Sequence, residues 1–120
     1  MTVPPGGTRP RTPPAAVRRA TAFIQDHLQE SIGIADIARA ARLSPHGLFV
    51  AFRRHLQTTP MEHLQRARLD AARSELLSTD PAGGPTVETV ALRWGFTDRH
   101  RFTTRYQEQH GETPADTLGT

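Results

Sequence analysis

Along most of the chain, apolar residues recur at steps of three and four, the spacing that places them on one face of an α-helix. One such stretch begins at Ala15, and a second, shorter one begins at Ile34. Their inward positions are Val17, Ala20, Thr21, Ile24 and Leu28, followed by Ile34, Ile37, Ala38 and Ala41. A β-strand would need alternation with a period of two, which no segment offers convincingly. The pattern predicts an all-α protein.

Helix starts are marked where a hydroxyl residue is followed by proline, because the hydroxyl caps the first turn and proline suits the first helical position. Ser44-Pro45 begins a predicted helix whose inward residues are Leu48, Phe52 and Leu56. Thr113-Pro114 begins a last short turn near the end of the chain. Both starts are therefore predictable from the local sequence alone.

The longest predicted helix lies in the middle of the chain. Thr59, Pro60 and Glu62 are predicted to form a capping box at its start. The loop "TDPAGGP" at 79–85 stops it near Thr79, since proline and glycine disfavour helix.

A short helix and a longer one follow this loop. Thr86 opens the short helix, which is predicted to hold Val87, Val90, Ala91 and Trp94 inside. Thr97 is predicted to cap the longer helix, which carries Phe102 and Tyr106 inward. Trp94 and Phe96 are predicted to plug the core beneath the intervening turn, leaving residues 98–105 facing outward.

The chain contains an internal repeat. The segments "IADIARAARLS" (34–44) and "VETVALRWGFT" (87–97) match at an offset of 53, and the helices after the two turns match at an offset of 54. One extra residue must therefore lie in the second turn or at the helix start that follows it. The matched pairs are Ile34 with Val87, Ile37 with Val90, Ala38 with Ala91, Leu43 with Phe96, Ser44 with Thr97, Leu48 with Phe102 and Phe52 with Tyr106.

Each repeat has a short helix, a tight turn and a capped longer helix, which is the pattern of a helix-turn-helix. Gly95 allows a positive φ in the second turn. Its counterpart is Arg42, so the first turn either accepts a strained residue, at a cost of about 1 kcal/mol, or has a different geometry. We expect about seven helices, forming two helix-turn-helix subdomains joined by the long helix.

The expected organisation has four parts. A flexible proline-rich arm at 1–14 precedes the first helix-turn-helix unit at 15–58, the linker helix at 59–79 and the second unit at 80–120. At about 1.5 Å per residue, residues 60–78 span roughly 28 Å, against about 34 Å for one turn of B-DNA. A helix of this length could hold two recognition helices near successive major grooves, besides bridging two small cores.

Composition narrows the function. All fifteen basic residues are arginine, the net charge is +3, and there is no cysteine, which excludes a disulfide scaffold and cysteine-ligated zinc. No apolar run is long enough to span a membrane and no signal peptide is visible, so the chain is expected to be cytoplasmic. The six histidines show no metal-ligand spacing, and no nucleophile elbow or phosphate loop occurs. We expect no enzyme activity, no metal and no cofactor.

The segment "VALRWGFTDRHRFTTRYQEQHGETP" (90–114) resembles the signature of the DNA-binding domain of the AraC/XylS family of bacterial transcription regulators. The segment at 52–77 is similar to the linker region of that domain. The resemblance covers about residues 15–118 and implies double-stranded DNA as the partner, with each recognition helix in the major groove.

Carried onto matching positions, the resemblance implies that Arg99, His100, Thr103 and Thr104 on the second recognition helix contact DNA, Arg99 by bonding a guanine edge. On the first recognition helix it implies contacts from His46, Phe49 and Val50, with Arg53 and Arg54 bonding phosphates.

The first recognition helix departs from the family pattern, which often has polar or basic residues where Phe49 and Val50 stand. These two side chains either contact thymine methyl groups, or the first unit reads few bases and leaves specificity to the second unit, which the departure slightly favours. Gly47 also lies inside this helix, at a cost of about 1 kcal/mol relative to alanine.

The resemblance further implies a transcription regulator that binds an asymmetric site as a monomer. Activation by contact with RNA polymerase is expected, and repression by occlusion is equally open. Such a chain either acts alone or is the C-terminal part of a longer regulator. The alternative is a protein-interaction module, or a fragment with only non-specific DNA affinity, because exposed apolar side chains on a helix also suit a protein partner.

Overall fold

The structure, a computed structural model, describes residues 14–119. All regular structure in this range is helical, and seven helices follow one another with no strand among them, which confirms the predicted fold class. Their bounds are α1 Ala15–Asp26, α2 Ile34–Ala41, α3 Pro45–Leu56, α4 Pro60–Ser78, α5 Val87–Arg93, α6 Arg99–His110 and α7 Pro114–Leu118. The proline-rich arm predicted at 1–14 lies outside the described residues, apart from Pro14.

The predicted hydroxyl caps are present at the starts of α3, α4 and α7. Ser44 Oγ accepts from the Gly47 N–H at 3.0 Å, and Thr59 Oγ1 accepts from the Glu62 N–H at 3.1 Å. Thr113 and Asp116 form a reciprocal capping box at the start of α7. Each cap satisfies a backbone N–H that the helix itself leaves without a partner.

The capping box predicted at Thr59 is only half formed. The Glu62 carboxylate does not return to the Thr59 backbone, because two guanidiniums attract it instead. Arg66 Nε lies 3.2 Å from Glu62 Oε2, and Arg105 of α6 bonds both carboxylate oxygens. The pairing of Arg105 with Glu62 attaches α6 to α4.

The apolar side chains form two clusters, one on each side of α4. The first core holds Ala20, Ile24, Leu28, Ile37, Ala38, Ala41, Leu48, Phe52 and Leu64. The second core holds Leu69, Ala72, Leu76, Val87, Val90, Ala91, Phe96, Phe102, Tyr106 and Leu118. Both sets contain most of the inward residues that the helical spacing predicted, although Thr21, Ile34 and Leu56 are only partly buried.

The linker helix α4 serves both cores because its apolar residues fall on two faces. Met61, Leu64, Ala67 and Ala71 lie against the first core, whereas Leu69, Ala72 and Leu76 belong to the second. At 3.6 residues per turn, these two sets point in directions about 120° apart. Each of the two small cores therefore packs against its own face of α4.

Trp94 differs from its predicted place inside the short helix. It follows the end of α5 as the C-cap residue and is only partly buried, while Phe96 is buried in the second core as predicted. The indole ring packs against both cores. It therefore lies between the two units and does not plug one of them.

Candidate nucleic-acid interface

The turns of the two helix-turn-helix units have the same geometry, which supports the repeat read from the sequence. The Leu43 N–H donates to Ala38 O at 3.0 Å, and the Phe96 N–H donates to Ala91 O at 2.9 Å. These two hydrogen bonds are related by the offset of 53 and are the long bond that closes a helix C-terminus. A left-handed residue precedes each, Arg42 at φ 62° and Gly95 at φ 90°. The first turn thus accepts the strained arginine.

The second recognition helix starts one residue later than predicted. Its N-cap is Asp98, whose carboxylate accepts from the Arg101 N–H at 3.1 Å, whereas Thr97 was predicted to cap it. The structural counterpart of Ser44 is therefore Asp98, and Thr97 is the extra residue that shifts the offset to 54. A carboxylate cap also offsets the unfavourable placement of cations in the first turn.

Helices α3 and α6 differ from most of the others in the charge of their first turn. Helices α2, α4, α5 and α7 each carry an acidic residue there, whereas α3 and α6, like α1, carry none. In α6 this turn is instead Arg99, His100 and Arg101, although the positive end of the helix dipole disfavours cations. An arrangement that costs helix stability and presents cations outward suits an anionic partner.

Each recognition helix is held by two fully buried residues one turn apart. Leu48 and Phe52 anchor α3, and Phe102 and Tyr106 anchor α6. The Tyr106 hydroxyl donates to Thr117 Oγ1 on α7 at 2.7 Å. These anchors fix which face of each helix points outward.

The outward face of α6 carries most of the residues that sequence analysis assigned to DNA. Arg99, His100 and Thr104 are exposed, and Thr103 is partly buried beside them. They occupy the first half of the helix, where His100 and Thr104 point away from the buried Phe102.

The outward face of α3 carries the corresponding set. His46, Arg53 and Arg54 are exposed, as are Phe49 at 46% and Val50 at 42%. His46 and His100 are equivalent positions at the offset of 54. The structure therefore exposes eight of the nine predicted residues on α3 and α6 and half-buries Thr103. The α6 residues lie in the first half of their helix, whereas Arg53 and Arg54 lie in the last turn of α3.

Arg105 does not join this outward set, although it belongs to the arginine-bearing stretch of α6. Its Nη2 donates to both Glu62 carboxylate oxygens, at 3.0 and 2.9 Å. Gln109, one turn later, donates from Nε2 to Asp70 Oδ1 at 2.7 Å. Arg105 therefore attaches α6 to α4, and the acid-free surface of the helix is limited to its first half.

Sequence analysis missed Glu88, whose Oε1 on α5 lies 3.3 Å from Arg99 Nη1 on α6. Both side chains are exposed. The two residues are eleven positions apart in the sequence, so helical spacing does not connect them. Only the fold of the turn brings them together.

Within residues 14–119, no cluster of three or more histidine or acidic side chains is placed to bind a metal ion. None of the helices in this range has the length and apolarity needed to cross a membrane.

Comparison with known proteins gives a consistent result. A family model described as a helix-turn-helix domain matches residues 37–120. The chain is 37% identical over 107 residues to the "Probable thc operon regulatory protein" of Rhodococcus erythropolis, covering 89% of this chain and 32% of the relative. It is 37% identical over 101 residues to the "XylDLEGF operon transcriptional activator 3" of Pseudomonas putida, covering 83% and 30%. The chain thus spans about a third of the length of these relatives.

Two solved structures share the fold. One is a "probable AraC family transcriptional regulator" from Rhodopseudomonas palustris, with a TM-score of 0.78 and 33% identity over 86% of this chain and 94% of that one. The other is a regulator from Chromobacterium violaceum described as of AraC type, with a TM-score of 0.79 and 23% identity over 86% and 88%. The second likeness concerns the fold alone.

Proposed function

Since the chain belongs to the AraC family of helix-turn-helix transcription regulators, we propose that it binds double-stranded DNA sequence-specifically, with α3 and α6 in successive major-groove segments. We further propose that the chain acts on transcription as an activator. Its relatives from Pseudomonas putida carry the name of transcriptional activators.

The observation that carries the proposal is the paired surface on α3 and α6. Each helix begins at a side-chain cap, lacks acid in its first turn, is anchored by two fully buried residues and exposes the residues proposed to contact DNA, apart from the half-buried Thr103. One such helix would suit many partners. Two of them in a repeated unit match a partner that itself repeats, and the DNA duplex presents its major groove once per turn.

The length of the linker helix α4 supports the placement of α3 and α6 in successive major-groove segments. Its 19 residues correspond to roughly 28 Å at about 1.5 Å per residue, close to the roughly 34 Å of one DNA turn. Both units pack on this one helix, so a single chain offers both recognition helices. We therefore propose binding as a monomer to an asymmetric site.

The outward side chains suggest that some residues contact bases and others contact phosphates. Arg99 is placed to bond a guanine edge bidentately, with His100, Thr103 and Thr104 beside it for base acceptors or phosphates. Arg53 and Arg54 lie at the end of α3, where they suit phosphate contacts, while His46, Phe49 and Val50 occupy the start and middle of the outward face. Helix α6 carries the stronger base reading in this proposal, because its outward face has more hydrogen-bonding groups.

Activation would follow from contact with RNA polymerase after the chain has bound DNA in the cytoplasm. This part of the proposal rests on the named activators among the relatives and not on a particular contact.

The test is selection of bound sites from a random duplex library at near-physiological salt. We expect a strong block of sequence from α6 and, about 10 base pairs away, a second and weaker block from α3. A single block would limit base reading to α6.

Absence of any enriched sequence, with binding lost at moderate salt, would leave only electrostatic affinity and overturn the proposal. In that case the exposed Phe49 and Val50 would favour the alternative function, a surface for a protein partner.

A further inference from the structure

Arg68 lies at the centre of the molecule, on the linker helix α4. Only 9% of it is exposed, and among residues 14–119 it is one of two buried polar or charged residues, the other being Thr58. Burial lowers the pKa of its guanidinium below the ordinary value for arginine. Burying a charge costs free energy unless hydrogen-bond partners replace the water that it loses. The groups that surround the Arg68 guanidinium therefore matter for stability.

On one side, the guanidinium binds the first unit. Arg68 Nε donates to Leu28 O at 2.9 Å, and Nη2 donates to Glu30 O at 2.6 Å. Both carbonyls belong to the turn that follows α1. A helix C-terminus leaves carbonyl groups without intrahelical partners and carries the negative end of the helix dipole, so a cation is favoured there.

On another side, the same guanidinium lies against the second unit. A Cβ built on Gly95 would be 3.5 Å from both Cζ and Nη1 of Arg68, so the backbone of the turn approaches the guanidinium closely. Gly95 also has a φ of 90°, which favours glycine. One side chain of the linker helix thus bonds the turn after α1 and lies beside the turn between α5 and α6.

Trp94 supplies a second contact between the units. Its Nε1 donates to Glu75 Oε1 on α4 at 2.8 Å, and its ring packs against both cores. Arg93 Nη1 lies 3.2 Å from the other oxygen of Glu75. Arg68 and Trp94 together form what we call the junction.

Each core packs on its own face of α4, which sets the distance of each unit along the helix. Contacts made directly between the units add a further restraint on the rotation of one unit against the other. The junction provides such contacts, and its hydrogen bonds have fixed directions, whereas apolar attraction is non-directional.

We propose that Arg68, supported by Trp94, is a positioning residue that fixes the orientation of α3 relative to α6 and so sets the spacing of the two DNA blocks that the protein accepts. The orientation is a property of the free protein. The spacing rests on the proposed function, because it requires both helices to read DNA.

Changing the distance between the blocks by one base pair moves the second groove by about 3.4 Å and 35°. A protein that holds α3 and α6 in one relative orientation fits only one spacing of the two DNA blocks. If that orientation varies, the protein accepts several spacings, each with lower affinity, because the effective concentration of the second helix at its block falls when its position is less restricted.

The first experiment measures orientation without DNA. The chain has no cysteine, so His46→Cys and His100→Cys allow two spin labels at equivalent positions of α3 and α6. Pulsed electron–electron double resonance should give a narrow distance distribution in the otherwise unchanged protein. We expect Arg68→Met, which keeps an unbranched side chain but removes the donors, to broaden it clearly.

The matched control is Arg66→Met, the same substitution two residues earlier, where the arginine is exposed and pairs only within α4. It should leave the distribution narrow. Far-ultraviolet circular dichroism establishes that each variant is folded. Should Arg68→Met not fold, Trp94→Phe keeps a ring in place but removes the N–H that Glu75 accepts, and it should broaden the distribution to a lesser degree.

The second experiment uses unlabelled protein and the selected DNA site, with the distance between blocks changed by one base pair in either direction. Without substitution, we expect affinity to fall about ten-fold on either change. Arg68→Met should reduce that preference to less than about three-fold while binding the α6 block alone as tightly as before.

The outcomes separate the two proposals. A distribution that stays narrow in both Arg68→Met and Trp94→Phe overturns the junction, whatever the DNA result. A broadened distribution with an unchanged spacing preference overturns the link from orientation to spacing. A broadened distribution in a protein that shows no spacing preference even without substitution supports the orientation and overturns the two-groove placement.

Discussion

Arg99 Nη1 on α6 lies 3.3 Å from Glu88 Oε1 on α5, so the arginine that we propose to bond a guanine edge is paired with a carboxylate of the preceding helix. Both side chains are exposed, and an exposed ion pair contributes about 0–1 kcal/mol. DNA can therefore compete for Arg99 at modest cost. In the absence of a good acceptor on the base, Glu88 keeps the guanidinium occupied and repels nearby phosphates.

We therefore expect Glu88→Gln to raise affinity for random duplex more than for the selected site, and so to lower the ratio between them. The gain on random DNA should be about two- to five-fold, the equivalent of an exposed ion pair. Glu88 also stands in the first turn of α5, so its loss should cost a few tenths of a kcal/mol of stability. Fluorescence anisotropy on both duplexes measures the affinities.

The control for net charge is Glu108→Gln, which removes one negative charge from the later half of α6. If it raises random binding and lowers the ratio as much as Glu88→Gln does, general charge and not the pairing with Arg99 explains the effect.

Arg99→Ala and Arg53→Ala should have different effects on DNA affinity, the first specific to sequence and the second uniform. Arg99→Ala is expected to weaken the selected site by about 1–3 kcal/mol and to relax the preference for guanine at one position. Arg53→Ala should weaken all sequences alike and reduce the dependence of log K on log salt by about one. Titrations of selected and random duplexes over a salt series measure both effects.

Equal losses from the two variants on both duplexes would count against base reading by Arg99. Arg105→Ala adds a second comparison, since Arg105 is bonded to Glu62 and should not contribute to the salt slope.

The left-handed turn residue Arg42 offers a test of stability. Arg42→Gly should remove a backbone strain of about 1 kcal/mol, offset in part by the greater entropy that glycine loses on folding. We expect a net gain of about 0.5 kcal/mol. Urea unfolding followed by circular dichroism measures it as a raised midpoint with an unchanged slope.

Two variants check the explanation. Arg39→Gly places the same substitution inside α2, where it should cost about 1 kcal/mol. Gly95→Ala should destabilise the second turn, because alanine at a φ of 90° is strained, whereas its Cβ would lie at an ordinary contact distance of 3.5 Å from the Arg68 guanidinium. A loss of stability in Arg42→Gly would mean that the arginine side chain stabilises the first turn by contacts that outweigh its strain.

Local signals in the sequence predicted most of the helices. Hydroxyl-proline starts located α3, α4 and α7, and helical spacing identified most of both cores. The repeat predicted that two turns share one geometry, as the matching bonds at Leu43 and Phe96 confirm. These features depend on residues within a few positions of one another.

Features that depend on distant residues were missed or wrong. The cap at Asp98 was assigned to Thr97, because both residues can cap a helix and only the path of the turn selects one. The bonds from Arg105 to Glu62 and from Arg68 to the turn after α1 join residues about forty positions apart. Spacing along one helix carries no information about such partners.

The apolar pair on α3 permits a last prediction. Phe49 and Val50 are exposed on the same outward face as His46 and Arg53, which is the placement that contact with thymine methyl groups requires. Replacing thymine by deoxyuridine in the weaker DNA block removes those methyl groups and leaves the hydrogen-bonding edges unchanged. We expect the unsubstituted protein to lose about three- to ten-fold in affinity on the deoxyuridine duplex, within the range of a single base contact.

Phe49→Ala and Val50→Ala, made together, should bind the thymine and deoxyuridine duplexes equally, because the side chains that distinguish them are absent. Anisotropy titrations with all four combinations form a double-mutant cycle that isolates the methyl contact. If the unsubstituted protein also binds both duplexes equally, α3 reads few bases, and these two side chains are then better explained as a surface for a protein partner, since exposed apolar groups favour such contacts.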